Sequence, residues 1–453
     1  MRQDQASTVL VVGSGLAGMT AAHHLAEWGI HVYLADREPH LGGAFLLLDH
    51  TFTTDSCGLC LALPRQPSYC PTIASALHPN ITPLPGVVLN ELEGKPCDFA
   101  AKLRQSPRLV DPDLCDNCGA CAAVCPVSRP RSRWGRFLFE DAQKAIYPPP
   151  PRAVPFVYAI NSDVCTRCRA CVAACPREAI DLEAVTAERQ IEIDAVVLAP
   201  GFAAFDAARA AEYGWGRCAD VVTSLELERM LNRCGPTGGR LLRPSDGQPP
   251  RRVAFIHCVG SRSEKLGRPY CSSSCCMITA KQVGLAKQVA PETEVTVFTM
   301  DVRASVKGYE RYFQRVAALP GVIYRQGLPA AVLESPGGQG LRLLTPDGEE
   351  AFDLVVLAVG TGPAEGAREL AARAGVALDE YGFVLPGEGG PGSTSRSGVF
   401  ATGSALVPAD VPKTVTQATA SAAQTISAAL AIGGLPSIPS PGPSRLGLVL
   451  AHT

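Results

Sequence analysis

The 453-residue sequence predicts an α/β architecture of two βαβ units with a small α+β, cysteine-rich insertion. Three observations carry that prediction. STVLVVGSGLAGMTAAHHLAEWGIHVYLAD passes from an apolar strand through a glycine turn into an alanine-rich helix and a second strand. RRVAFIHCVG and EVTVFTMDV bracket a second unit of the same kind. Between the two, one cysteine motif occurs twice.

The elements follow in order. A strand at Thr8–Val12 leads to a helix at 16–27 and a strand from His31 that ends at Asp36. From about residue 106 to 185 the chain is cysteine-rich loop, split by the proline run Tyr147–Pro155. Strand character returns at Ile191–Gly201. The second unit then supplies a strand, a helix from about Ser273, and the strands EVTVFTMDV and Leu354–Gly360. GVFATG (Gly398–Gly403) and a helix over Thr414–Ala431 close the pattern, and the Pro/Gly/Ser-rich end reads as a loose tail. The expected division is 1–106, 190–248 and 365–453 for the first unit, 107–189 for the insertion, and 249–364 for the second unit.

Composition narrows the function classes. Charged residues make up 19% of the chain and the net charge is −2, so nothing electrostatic points to nucleic acid or a membrane surface. The apolar run Val9–Val12 enters the glycine turn directly and is not read as a signal peptide. No apolar run approaches the ~18 residues a membrane span requires. Eighteen cysteines in such a chain suggest metal and a reducing compartment, and the expected location is cytoplasmic.

Gly13, Gly15 and Gly18 form G-x-G-x-x-G between strand and helix. The first permits the turn, the second lets backbone approach a pyrophosphate, and the third lets helix and strand pack closely. Free N–H groups at the helix start favour phosphate, and Asp36 stands where a carboxylate accepts from the adenosine ribose. FAD is favoured over NAD, because the late GVFATG–helix segment suits a return to the flavin. Arg37, Gly42, Gly43, Gly201, Gly403 and Gln417 are the further candidate dinucleotide contacts.

Cys115, Cys118, Cys121 and Cys125-Pro126 make C-x2-C-x2-C-x3-C-P, which Cys165, Cys168, Cys171 and Cys175-Pro176 repeat. In two-cluster ferredoxins the fourth cysteine is directed to the other cluster. One [4Fe–4S] cluster is therefore assigned to Cys115, Cys118, Cys121 and Cys175, and another to Cys165, Cys168, Cys171 and Cys125. Zinc, with four ligands often in two pairs, fits this spacing less well. Arg129, Arg131, Arg133 and Arg136 between the halves read as a solvated linker, with docking of an acidic partner as the alternative.

In the second unit no glycine motif follows VAFIH. CVGSR and YCSSSCC occupy the phosphate position instead, with Cys258, Cys271, Cys275 and Cys276. Spacing alone leaves two readings open, a third cluster or buried free thiols.

At these residues the sequence resembles the flavin- and iron–sulfur-containing A-type component of heterodisulfide reductase, and relatives in quinone-interacting membrane-bound oxidoreductases. VVGSGLAGM, TFTTDSCGLC, HPNI, both cysteine motifs, KAIYPPPPRAVPFVY, HCVGSR, YCSSSCCM, DVRASVKGYE and PADVPKTVTQATASAA carry the resemblance, from about residue 8 to 430. It implies a thioredoxin-reductase-like two-dinucleotide-domain flavoprotein with an inserted α+β two-cluster ferredoxin domain. It also implies a [4Fe–4S] cluster at Cys258, Cys271, Cys275 and Cys276, and it places Lys281 near the flavin ring, where a cation would stabilise the reduced, anionic flavin.

Two departures matter. The longest family members carry an extra N-terminal domain and a C-terminal ferredoxin domain without counterpart here, which puts electron bifurcation by this chain in question. His257 replaces the family's usual glutamine and reads as a satisfied strand histidine. Cys57, Cys60, Cys70 and Cys97 are enough thiols for a fourth cluster, but thiols packed beside the flavin are the expectation.

The expected function is therefore electron relay by an FAD and [4Fe–4S] oxidoreductase subunit. The expected partners are heterodisulfide reductase B- and C-like subunits and a hydrogenase, dehydrogenase or ferredoxin donor, in a dimer of a multi-subunit complex. An NAD(P)H-dependent oxidoreductase similar to the glutamate synthase small subunit is the alternative, and a non-catalytic cluster-bearing scaffold is the third reading.

Overall fold

The computed structural model describes residues 7–48, 50–52, 57, 63, 70–127, 144–335 and 340–433. Two five-stranded parallel sheets organise the chain. The first runs in the order Val399–Ala401, Ala195–Leu198, Thr8–Val12, His31–Asp36, Ile81–Pro85. Its strands are near-continuous apolar runs because helices cover the sheet and both faces are buried. Leu16–Glu27 packs against the last helix, Val411–Gly433, so the two ends of the described chain meet over one core.

The second sheet has the order Val221–Thr223, Leu354–Val359, Arg252–Val259, Glu294–Thr299, Val322–Gln326. Val221–Thr223 belongs to the 190–248 stretch that the sequence assigns to the first unit. Here it pairs in parallel with Val355–Leu357 at the edge of the second sheet. A capping box at Thr223 and Glu226 then starts the helix Ser224–Leu231.

One continuous stretch serves two sheets. Strand character runs through Ile191–Gly201, and within it the chain changes sheets at Asp194, after Ala187–Ile193 and before Ala195–Leu198. The Asp194 carboxylate accepts the Thr8 amide at 2.7 Å, and its carbonyl accepts the Cys97 amide at 2.9 Å, which fixes the break.

The insertion leaves and re-enters through a three-stranded antiparallel sheet of Val87–Lys95, Asp98–Gln105 and Ala187–Ile193. Gln105 and Ala187 are register partners, so the cysteine-rich module hangs from one point of that sheet. Within it, Ala120–Val124 and Ala170–Ala174 are matched short helices over a small core. Arg129, Arg131, Arg133, Arg136 and the C-terminal tail lie outside the described residues. Among the described residues no helix is long and apolar enough to cross a membrane.

Candidate functional site

The glycine turn builds the first part of the site. A Cβ on Gly13 would stand 2.0 Å from the Ala199 carbonyl oxygen, and one on Gly18 would stand 1.7 Å from that of Gly13. Both glycines are therefore demanded by contact between the turn, the helix and the neighbouring strand. Gly15 differs, since a Cβ there would meet no protein atom within 4 Å. Its open side faces a cavity of about 390 Å³, lined also by Gly13, Asp36, Arg37, Gly43 and Gly201. Backbone that must stay bare toward an open cleft fits a pyrophosphate.

Asp36 is buried and organises this turn. Its Oδ2 accepts the Ser14 amide (2.7 Å) and hydroxyl (2.5 Å), while Oδ1 accepts the Glu38 amide at 2.9 Å. A carboxylate offers about four acceptor sites, so one remains for a ribose hydroxyl. Gly42 and Gly403 shape the cleft without lining it. A Cβ on Gly42 would meet Leu46 at 2.6 Å, and one on Gly403 would meet Ala17 at 2.9 Å. Gln417 is half-buried in the last helix, and its amide oxygen has no protein partner.

Lys281 is buried in the helix Cys275–Val289, and its ammonium is fully engaged. It donates to both Glu228 carboxylate oxygens at 2.6 and 2.7 Å, and to the His50 carbonyl at 2.9 Å. Glu228 also accepts from Gln282 at 3.0 Å, and Glu228, rather than Lys281, lines the cleft. No motif in the sequence singles out Glu228. Its only signal is a carboxylate on the buried side of an amphipathic helix, Ser224–Leu231.

In the insertion, two small cavities each bring four thiols together. Cys115, Cys118, Cys121 and Cys175 line one, and Cys125, Cys165, Cys168 and Cys171 line the other. The last cysteine of each motif thus crosses to the set of its sister. Burial, reinforced by Cys115 and Cys175, pushes the Cys121 thiol up to about 12. Burial and Cys165 raise Cys171 in the same way. Such thiols stay neutral unless bound cationic metal offsets the crowded charge, the expected behaviour of a metal-ligand set before loading.

The second unit presents its four cysteines at the head of a helix. The strand Arg252–Val259 breaks register between Ile256 and Val259, and Cys258 there takes φ 58°. That bulge turns Cys258 toward Cys271, Cys275 and Cys276, which open or precede the helix Cys275–Val289. All four are close enough for their charges to interact. Burial raises Cys275, Cys258 and Cys276, and their mutual repulsion adds to it. The donors are of the chemistry an iron–sulfur cluster takes. Among the described residues, no three of His, Cys, Asp and Glu converge on a single-ion position.

His257 is less satisfied than its sequence suggests. Thr299 spends its hydroxyl proton on the Asp301 carbonyl (2.7 Å), so His257 Nδ1–H donates to Thr299 at 3.0 Å. Nε2 is buried without a partner. Burial lowers the imidazole pKa to about 4, which keeps it neutral.

Among the described residues, Cys57, Cys70 and Cys97 each have a separate partner. Cys57 accepts from Arg152 at 2.7 Å, and Arg152 also donates to the carbonyls of Leu46 and Leu48 beside the cleft. Cys70 packs on the same core and accepts weakly from Thr72. Cys97 sits instead at Asp194, by the N-terminal end of the first strand. Cys60 lies outside the described residues.

Comparison with known proteins bears on these features. Residues 114–180 match the 4Fe-4S dicluster domain family, and residues 11–50 match the NAD(P)-binding Rossmann-like domain family. The A-type component of the H2:CoB-CoM heterodisulfide, ferredoxin reductase of Methanothermobacter marburgensis is 38% identical over 92% of this chain and 63% of its own length. The second iron–sulfur A-type component of the CoB–CoM heterodisulfide reductase of Methanopyrus kandleri is 39% identical over 94% of this chain and 65% of its own. The chain thus spans a little under two thirds of these curated relatives. Among solved structures, Lactococcus lactis thioredoxin reductase aligns over 94% of this chain and all of its own, at 12% identity and a TM-score of 0.49.

Proposed function

This chain belongs to the family of heterodisulfide reductase A-type components over the stretch it shares with those proteins, and on that premise we propose that it is an FAD and [4Fe–4S] oxidoreductase subunit relaying electrons between protein partners. The observation that carries the reading is in the second unit. Where a nicotinamide pyrophosphate would lie, four charge-coupled thiols stand at the head of the helix. An NAD(P)H reductase needs bare glycine backbone there.

The residues have distinct tasks in this reading. Gly15 keeps the turn bare for the FAD pyrophosphate, and Asp36 holds the turn while keeping an acceptor for the ribose. Arg37, Gly43 and Gly201 line the same cleft, Gly42 and Gly403 set its shape, and Gln417 offers an unpartnered amide oxygen nearby. The Glu228–Lys281 pair places a carboxylate in the wall with a cation directly behind it. When bound, the flavin supplies exchange between one- and two-electron chemistry.

Twelve cysteines hold three clusters in this reading. Cys115, Cys118, Cys121 and Cys175 take one, Cys125, Cys165, Cys168 and Cys171 a second, and Cys258, Cys271, Cys275 and Cys276 a third. The stretch 107–189 is the two-cluster module, 249–364 carries the third set together with the edge strand Val221–Thr223, and the other segments form the FAD unit. The partners are the other subunits of a heterodisulfide-reductase-like complex and a donor that feeds it.

Anaerobic purification with iron and flavin quantification tests this reading. It requires one FAD and about twelve irons per chain. Iron near eight removes the third cluster, and absent flavin removes the whole reading. Cys275→Ala should lose about four irons and keep the flavin. Stoichiometric bleaching by NADPH would favour the nicotinamide-dependent alternative.

A further inference from the structure

The two thiol loops of the insertion are sisters in sequence, length and backbone, yet their outward edges carry opposite charge. DPDLCDNCGAC (111–121) bears Asp111, Asp113 and Asp116, a net of −3. NSDVCTRCRAC (161–171) bears Asp163, Arg167 and Arg169, a net of +1. In each loop the second cysteine, Cys118 or Cys168, is the exposed one, so both sets are reached from outside through these edges.

The charges are deployed on the surface. Arg167 and Arg169 are each more than 60% exposed and share one carboxylate, Glu183, at 3.8 and 3.2 Å. One acid shared by two guanidiniums leaves one positive charge in excess within that trio, and Asp163 is the loop's other charge. On the sister edge Arg177 pairs with Asp116 at 2.9 Å, and the adjoining hollow is lined by Asp111, Asp113, Glu178 and Asp181 against one Arg108.

The backbone adds an independent observation. Arg167 (φ 55°) and Arg169 (φ 63°) occupy left-handed positions that the sister loop fills with Asn117 (φ 58°) and Gly119 (φ 83°). Asparagine and glycine are the residues that tolerate this region, and arginine is not. The second loop therefore carries two arginines at a conformational cost that its sister avoids, and such strain points toward function. Val185, two residues beyond Glu183 in the chain, is 79% exposed.

We propose that the edge formed by Cys168, Arg167 and Arg169 is the docking face for a small acidic iron–sulfur protein that carries one electron. The inference rests on the reading of Cys125, Cys165, Cys168 and Cys171 as a cluster site. Complementary charge steers the encounter and sets its orientation. One electron then passes, the carrier being oxidised and this chain reduced, with no bond made or broken. The acidic edge around Asp116 repels the same carrier, so the module has one entrance for it.

The test uses the full reconstituted chain and a two-[4Fe–4S] acidic bacterial ferredoxin as probe. Binding of the oxidised probe is measured at low and at physiological ionic strength, and reduction by the dithionite-reduced probe is followed by stopped flow. Arg167→Asn with Arg169→Gly installs the sister loop's residues and relieves the backbone, so it should fold at least as well. It should weaken low-salt binding about tenfold or more and flatten the salt dependence, with iron content unchanged. Arg167→Glu with Arg169→Glu should weaken it further, and Asp113→Asn with Asp116→Asn should leave it within about twofold. Equal binding by the arginine variants, an equal loss from the aspartate variants, or no binding by the wild type overturns the docking face. A chain lacking iron in this module overturns the cluster reading itself, and the docking face with it.

Discussion

Removing the ammonium of Lys281 is the sharpest perturbation of the interior. Lys281 and Glu228 are each 3% exposed and bonded through both carboxylate oxygens, with Gln282 and the His50 carbonyl completing the group. Lys281→Met leaves the Glu228 charge buried with only one amide donor, and Glu228→Gln leaves the ammonium facing an amide and a carbonyl. Breaking a buried pair from one side costs about 3–5 kcal/mol, whereas replacing both partners by apolar groups is close to neutral. Each ~1.4 kcal/mol is tenfold in an equilibrium constant. Amide exchange in the helix Cys275–Val289, read by mass spectrometry, should therefore speed up by roughly two to three orders of magnitude in either single variant. The double variant Lys281→Met/Glu228→Leu should recover most of that protection. Single variants within about twofold of wild type, or a double variant equal to the sum of the singles, would refute the coupled pair.

Three further outcomes follow from the geometry. Gly15→Ala should fold normally and lose flavin, because its methyl group enters only the cleft, whereas Gly18→Ala should lose stability as well through its contact with the Gly13 carbonyl. Flavin stoichiometry and thermal unfolding separate the two. Asp36→Asn puts an amide NH2 against the N–H of Ser14 or Glu38, so flavin affinity should fall by about 1.5–3 kcal/mol, read by titration of the apoprotein. His23 is buried, donates to Ser75 at 3.0 Å, and has its pKa lowered to about 4 by burial and then by His78. The folded chain resists protonation there, so this contribution is whole above the unfolded value near 6.5 and is lost as pH falls toward 4. His23→Gln should flatten the loss of stability over that window, where one proton is worth at most about 1.4 kcal/mol per pH unit. An unchanged pH profile of unfolding would count against it.

The legible parts of the site come from short spans. Three of the four thiols in each ferredoxin set lie within seven residues, and Gly13, Gly15 and Gly18 lie within six. Local spacing therefore announces them, and the proline after each fourth cysteine announces the crossover. Glu228 stays hidden because it meets Lys281 across 53 residues and belongs to no motif. The sheet change at Asp194 is only partly legible, since the acid interrupts the apolar pattern between Ile193 and Ala195 but a single polar residue also fits one longer strand. Val221–Thr223 falls to the neighbouring unit on sequence alone, since a Val-Val-Thr triplet does not state which parallel sheet it will edge.

Glycine turns and cysteine spacings act over a few residues of backbone geometry, so the order of residues alone sets the kinds of chemistry available to this chain. Tertiary structure decides what those groups face. It ties Lys281 to Glu228 at the cleft wall, swings Cys258 on a strand bulge toward thiols 13 to 18 residues away, and sets apart one acidic and one basic edge on two sister loops. These are matters of burial and long-range contact, where a charge takes its energy from what surrounds it and not from its neighbours in the chain.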